Sequence, residues 1–134
     1  MDLLTIAKNA ADRVEAASVA NKVPVAVCVI DVHGNIVLQH RMPGAPAFSI
    51  ELSERKAYTS ALVGMRTADL LAMVQPGQPL YALSTVGAGR FCAMGGGVPL
   101  TSAGQVVAGV GVSGGTVEQD TAIVEAALRE VTKA

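Results

Sequence analysis

Apolar residues recur along the chain with two periods, one typical of helices and one typical of strands. Residues 3–21 repeat apolar positions at helical spacing and predict a first helix. Residues 25–32 are almost continuously apolar, which is typical of a strand buried on both faces. Residues 36–41 form a second strand after a turn rich in Asp, Gly and Asn. Together these two strands predict an antiparallel hairpin.

The middle of the chain predicts helices joined by turns. Ser49 is a candidate N-cap for a second helix that extends to about Leu62 and is closed by Gly64. Thr67 is a candidate cap for a shorter helix at 68–74. After a connector rich in Pro and Gly, residues 80–86 fit either a helical turn or a short strand.

The last third of the chain predicts three strands and a closing helix. The helix, at 117–131, begins with a capping-box pattern from Thr116 to Gln119. The strands lie at 90–94, 98–102 and 105–113. The element order is therefore α-ββ-αα-βββ-α. It predicts an α/β (α+β) fold, in which helices flank a five-stranded antiparallel sheet, within a single domain at 1–134.

Composition adds an expectation about assembly. Hydrophobic residues make up 51% of the chain, but only 3% are aromatic and there is no Trp, so the core must be built from small aliphatic side chains. Charged residues are only 16%, below the usual quarter. A composition with so few charged residues leaves more apolar surface than the core of one small subunit can bury. We therefore expect a homo-oligomer, with a very compact monomer as the alternative.

Charge and cysteine usage exclude several function classes. A net charge of −1 without a Lys/Arg stripe is not typical of nucleic-acid binding. Cys28 and Cys92 lie in apolar runs and are expected to be small buried side chains in a reducing compartment, too far apart for a zinc site. The N-terminal pattern is not that of a signal peptide, and no apolar segment reaches membrane-spanning length. A cytoplasmic protein with no membrane partner is expected.

Two glycine clusters flank the last predicted strand. Gly95, Gly96 and Gly97 supply no side chain, so they fit either a bulge or tight crossing, or a backbone that binds an anion. The pair Gly114-Gly115 precedes the last helix, where a plain turn and an anion site are again the alternatives. The string Gly109-x-Gly111-x-x-Gly114 matches a dinucleotide fingerprint. It lies inside a strand, however, and we therefore discount it.

Several segments together resemble the GlcG/HbpS family, which includes the C-terminal domain of PduO-type proteins. They are Val29-Ile-Asp-Val-His-Gly-Asn-Ile-Val, Arg41-Met-Pro-Gly-Ala, Ser49-Ile-Glu-Leu-Ser-Glu-Arg-Lys-Ala, Gly95-Gly-Gly-Val-Pro-Leu and Gly109-Val-Gly-Val-Ser-Gly-Gly-Thr-Val-Glu-Gln-Asp. The resemblance implies a profilin-like sandwich and a homo-oligomer of four or more subunits. It also implies haem as a cofactor in some members, and iron binding at Glu-x-x-Glu pairs, a spacing that Glu51 and Glu54 match.

Few side chains offer chemistry beyond these motifs. His40 is the candidate haem or metal ligand, with a structural role in its strand as the alternative, while His33 is expected to be a solvated turn residue. Arg41 and Lys56 are candidate cations that, with the triple glycine, would hold a small carboxylate or a haem propionate. Their alternative is ordinary pairing with surface carboxylates. Tyr58 and Arg90 are candidate pocket walls.

Three functions remain open on this evidence. The first is an oligomeric binding protein for haem or a related tetrapyrrole. The second is an isomerase, deaminase or hydrolase without an organic cofactor, acting on a small carboxylic acid of a catabolic pathway, with His40, Lys56 or Glu54 moving protons. The third is an accessory subunit of another enzyme. In each case the expected partners are the chain itself and, for the first two, a small anionic ligand.

Overall fold

A four-stranded antiparallel sheet forms the centre of the protein. The computed structural model describes residues 2–129. All neighbouring strands run antiparallel in the order β2-β1-β4-β3. Their bounds are Ala26–Asp31 for β1, Ile36–Arg41 for β2, Gly97–Ser102 for β3 and Gln105–Ser113 for β4. The predicted antiparallel sheet is confirmed, but it has four strands rather than five.

Helices cover both faces of this sheet. One helix, α2, packs across β4, β1 and β3 on one face, while α1 and α4 pack against each other and cover the opposite face. The helix bounds are Leu3–Asn21 for α1, Ser49–Val63 for α2, Thr67–Leu70 for α3 and Val117–Leu128 for α4. The element order is therefore α-ββ-α-α-ββ-α. The predicted end of the last helix, at 130–131, lies outside the described residues.

The predicted strand at 90–94 is wrong. The chain between α3 and β3, residues 71–96, forms a crossing segment built from the 3-10 turns Leu71–Val74 and Leu83–Gly89 and irregular backbone. Gly87, Ala88 and Gly89 have positive φ and turn the chain just before residues 90–94, which take irregular backbone and pair with no strand of the sheet. The amide of Cys92 donates to Thr59 Oγ1 of α2 at 2.7 Å. This segment therefore lies against α2 instead of extending the sheet.

The strand β1 separates two hydrophobic clusters, because its side chains alternate between the faces of the sheet. Val27 and Val29 join the larger cluster under α1 and α4, together with Val110 and Val112 of β4. Cys28 and Ile30 point to the other side and join a cluster formed by Ala57, Tyr58 and Ala61 of α2. The prediction that this strand is buried on both faces is confirmed.

Glycines in β4 allow α2 to lie directly on the sheet backbone. A Cβ atom added to Gly111 would lie 2.0 Å from the Ser53 carbonyl oxygen, and one added to Gly109 would lie 2.3 Å from that of Ala57. Such distances are far below van der Waals contact. Gly109 and Gly111 therefore serve helix packing and lie inside the strand as predicted, while Gly114 lies just past the end of β4.

The helix starts are only partly as predicted. The capping box of α4 is confirmed, since Gln119 N–H donates to Thr116 Oγ1 at 3.1 Å and Thr116 N–H donates to Gln119 Oε1 at 2.8 Å. Ser49 and Thr67 are wrong as caps, because each is the first residue inside its helix. The Thr67 hydroxyl instead accepts a 2.9 Å hydrogen bond from Gly97 N–H. The Thr67 side chain thus binds the first amide of β3 and does not cap its own helix.

Candidate functional site

Lys56 is a buried cation that ties α2 to the far end of the sheet. Its side chain has no exposed surface, and its Nζ atom donates to Asp120 Oδ2 at 3.1 Å and to the Val112 carbonyl at 2.9 Å. Asp120 is buried as well, and its other oxygen accepts from Gly115 N–H at 2.9 Å. A buried charge of this kind persists only when it is paired and hydrogen-bonded. The pair therefore fixes the position of α2 relative to α4.

The triple glycine lies beside this ion pair. Gly95, Gly96 and Gly97 are all buried, and a Cβ atom on Gly96 would lie 2.8 Å from Lys56 Nζ. The carbonyl of Gly96 accepts a 2.9 Å hydrogen bond from Val112 N–H. The structure thus brings Lys56 and the glycines together, but in an enclosed position that lines neither of the clefts described below. Their contacts favour a packing role, and their role in binding a carboxylate stays a prediction.

His40 and Arg41 point away from each other, as neighbours in a strand must. His40 is exposed on the side of the sheet that α1 covers, with its Nδ1 atom 3.3 Å from a Glu15 carboxylate oxygen. Arg41 is also exposed, and its Nη1 atom donates to the Ala45 carbonyl at 3.2 Å. His33 is exposed in the hairpin turn, as expected. The structure therefore places neither histidine beside the triple glycine.

Tyr58 and Arg90 form a stacked pair where the crossing segment passes the β1–β2 turn. The guanidinium carbon of Arg90 lies 4.5 Å from the centre of the Tyr58 ring. Phe91 packs against the same ring, with centroids 5.3 Å apart. A Cβ atom on Gly34 of the turn would lie 3.1 Å from this ring. The pair thus anchors the end of the crossing segment to α2 and to the hairpin.

Glu51 and Glu54 lie in different surroundings, although they are one helical turn apart. Glu51 is exposed and pairs with Arg55, whose Nη2 atom lies 3.0 Å from its Oε1. Glu54 is half-buried near Cys28, and burial together with that negative charge raises the pKa of the Cys28 thiol to about 12. Residues 2–129 contain no group of three or more His, Cys, Asp or Glu side chains that could hold a metal ion. Iron binding at this pair stays a prediction.

A cleft of about 540 Å³ lies between α2 and the crossing segment. Its volume is within the range of roughly 300–1,000 Å³ that is typical of small-molecule sites. Most of its lining residues are apolar in type, and Glu51 and Arg55 add an ion pair to its wall. The lining residues are Phe48, Glu51, Leu52, Arg55, Gly89, Phe91, Cys92, Ala93 and Met94. The half-buried Cys92 thus faces a cleft and is not the strand residue that the sequence predicted.

Arg55 is the charged cleft residue that sequence reasoning missed, along with the apolar lining and the two sulfur-containing side chains. It directly precedes Lys56, and residues adjacent in a helix point to different faces. Lys56 shares its face with the small buried side chains of Ser49, Ser53 and Ser60, which recur at helical spacing. That stripe of small residues is a signal that could have placed Lys56 on the face of α2 that packs against the sheet, and Arg55 on the face that points away from it.

A second cleft, of about 230 Å³, lies where α4 meets β3. It is lined by Arg66, Val98, Pro99, Thr101, Val124, Glu125, Leu128 and Arg129. Arg66 is already paired with both Glu125 and Asp69, whereas Arg55 has one carboxylate partner among residues 2–129. We therefore regard the α2 cleft as the stronger candidate site.

No helix among the described residues is long and apolar enough to cross a membrane.

Comparison with known proteins identifies the family. The chain is 42% identical over 125 residues to the 15.0 kDa protein in the dhaT-dhaS intergenic region of Citrobacter freundii, an alignment that covers 93% of this chain and 88% of that protein.

Two solved structures share the fold closely. The Klebsiella pneumoniae protein ORFY has a TM-score of 0.91 and 37% identity, and the match covers 99% of this chain and 91% of that one. PduOC in complex with haem has a TM-score of 0.89 and 33% identity, covering 96% and 93%. Residues 3–129 match the family described as haem degrading protein HbpS-like. The resemblance seen in the sequence is confirmed, and the chain belongs to the HbpS-like family.

Proposed function

We propose that the chain binds haem or a related tetrapyrrole in the cleft between α2 and the crossing segment. The observation that carries the proposal is the lining of this cleft, which combines aromatic and aliphatic walls with the paired side chains of Arg55 and Glu51. The description of the family and the haem complex of PduOC support the choice of ligand class. Haem, when bound, would supply a redox-active iron.

The cleft residues fit the chemistry of such a ligand. Phe48, Leu52 and Phe91 offer apolar surface to a flat macrocycle, and Arg55 offers a cation to a propionate group. Cys92 and Met94 are cleft residues of types that bind haem iron in proteins. The cleft therefore provides the three kinds of group that a tetrapyrrole requires.

His40, the iron ligand expected from the sequence, does not line this cleft. Its ion pair with Glu15 places it on the opposite side of the sheet. We therefore assign the iron-facing role within one subunit to the sulfur atoms of Cys92 and Met94, and not to His40.

A haemin titration tests this proposal. The wild-type protein should develop a saturable shift of the Soret band. The double variant Cys92→Ser/Met94→Leu should change the position of the band or weaken binding, because it removes both sulfur ligands from the cleft. His40→Ala is the matched control and should behave like the wild type. A wild type without a saturable shift, or a shift that disappears in His40→Ala alone, would contradict the proposal.

The cleft also suits a small carboxylic acid, because Arg55 is positioned to bind one. The groups expected to move protons, His40, Lys56 and Glu54, do not line it. This arrangement favours a binding protein over an enzyme. Thermal-shift measurements with a panel of small dicarboxylates test the alternative, and a flat response would count against it.

We also propose that the chain forms a homo-oligomer. Large apolar side chains are exposed along the crossing segment, as expected from the low content of charged residues. They are Leu71, Tyr81 and Val86, none of which lines the cleft. Light scattering coupled to size-exclusion chromatography should give a mass well above 13.6 kDa, while elution as a monomer would contradict this proposal.

A further inference from the structure

Arg55 is held in the cleft by one weak contact. Its Nη2 atom donates to Glu51 Oε1 at 3.0 Å, and Glu51 is its one hydrogen-bond acceptor among the described residues. The Arg55 side chain is 29% exposed, and that of Glu51 is 72% exposed. The guanidinium therefore has N–H groups left to bind another acceptor within the cleft.

This contact can be exchanged at little cost in free energy. An exposed ion pair at this helical spacing changes an equilibrium constant by only about twofold. Glu51 lies in the first turn of α2, where the helix dipole stabilises a carboxylate without help from Arg55. A ligand carboxylate, by contrast, can accept two parallel hydrogen bonds from a guanidinium. The exchange of Glu51 for a ligand carboxylate is therefore favourable.

We infer that Arg55 selects ligands that carry a carboxylate, and that Glu51 is an internal competitor that lowers their affinity. The inference rests on the proposed function of the cleft and adds a specificity determinant to it. It follows that a ligand with an apolar body and a free acid group binds more tightly than the same body with the acid esterified. Removing the charge of Glu51 should strengthen binding of the free acid and leave binding of the ester unchanged.

Haemin and haemin dimethyl ester separate these effects, because they share a macrocycle and differ in the charge of the side groups. Arg55→Met should weaken haemin binding by about tenfold, the loss expected for a charged hydrogen bond, and should leave ester binding unchanged. Glu51→Gln should tighten haemin binding by about twofold, which corresponds to the strength of the exposed pair. It should also leave the ester unchanged.

Matched controls come from other layers of the protein. Arg13→Met removes an exposed arginine from α1, and Glu118→Gln removes an exposed first-turn carboxylate from α4. Neither variant should alter the affinity for haemin. Circular dichroism should show that all four variants remain folded, since each substituted side chain is at least partly solvent-accessible.

The outcomes distinguish this inference from the proposed function. If the wild type binds neither tetrapyrrole, both are overturned. If the wild type binds haemin and Arg55→Met binds it equally well, only the role of Arg55 is overturned. Equal weakening of haemin and of its ester in Arg55→Met would also overturn the role of Arg55, because it would indicate lost packing and not lost charge recognition.

Discussion

Replacement of Lys56 by Met removes a buried cation while keeping a long side chain of similar volume. The change would leave the Asp120 carboxylate buried, with its hydrogen bond from Gly115 N–H but without its countercharge. It would also leave the Val112 carbonyl without the Nζ donor. The variant therefore isolates the contribution of one charge to the position of α2.

Loss of one partner from a buried pair typically costs about 3–5 kcal/mol, because the remaining charge is not compensated. Native stability is only about 5–15 kcal/mol, so this change removes a large part of it. For a chain of 134 residues, the unfolding entropy converts that loss into a fall in Tm of about 10–18 °C. An exposed pair such as Arg66 with Glu125 should contribute less than about 1 kcal/mol.

Urea denaturation followed by far-ultraviolet circular dichroism would measure the free energy of unfolding of Lys56→Met, Arg66→Gln and Lys56→Met/Asp120→Asn. The double variant should recover at least half of the loss, because the amide that replaces the carboxylate carries no charge and keeps an oxygen for Gly115 N–H. If Lys56→Met costs no more than Arg66→Gln, the buried pair does not hold α2 in place and the reasoning is refuted.

Further predictions concern packing, thiol reactivity and pH. Gly111→Ala should lower the free energy of unfolding by about 3 kcal/mol, because the added Cβ atom would lie 2.0 Å from the Ser53 carbonyl oxygen. A loss below about 1 kcal/mol in urea denaturation would contradict the tight packing of α2 on β4. Ellman's reagent should label one thiol quickly in the native protein, because Cys92 is accessible whereas Cys28 is buried and its pKa is raised to about 12. Fast labelling of two thiols, or fast labelling that persists in Cys92→Ser, would contradict this assignment. Asp31 has a lowered pKa because its carboxylate accepts hydrogen bonds from the Asn35 and His33 amides, so its contribution to stability is complete above its ordinary value of 3.8 and is lost as the pH falls through the lowered value. Asp31→Asn should therefore show a shallower loss of Tm below pH 4 than the wild type, and an identical acid profile would be the negative result.

Local patterns predicted the elements whose contacts are local. The bounds of β4 and β2 agree with the apolar runs that predicted them, and the capping box of α4 involves residues only three positions apart. The apolar run at 90–94 also predicts a strand when only its local pattern is considered. It is not a strand because the Cys92 amide donates to Thr59 of α2, a contact between residues 33 positions apart that no local pattern predicts.

The candidate site was harder to predict, because it depends on which side of a helix faces the sheet. Lys56 and Arg55 are adjacent in sequence, yet one is enclosed beside the triple glycine and the other lines a cleft. The triple glycine suggested an anion site, and the structure shows in addition that Gly95 leaves room for Thr121 and Gly96 leaves room for Lys56. His40 is a candidate ligand by residue type, which stays a prediction, and the register of β2 together with the Glu15 contact shows that it faces α1.

Hydrogen–deuterium exchange with and without haemin tests most directly whether the cleft between α2 and the crossing segment is the ligand site. We expect haemin to slow exchange in peptides that cover residues 48–55 and 89–94, with little change around His40 and along α1. Protection centred on His40 and α1, or no protection anywhere at saturating haemin, would contradict this assignment.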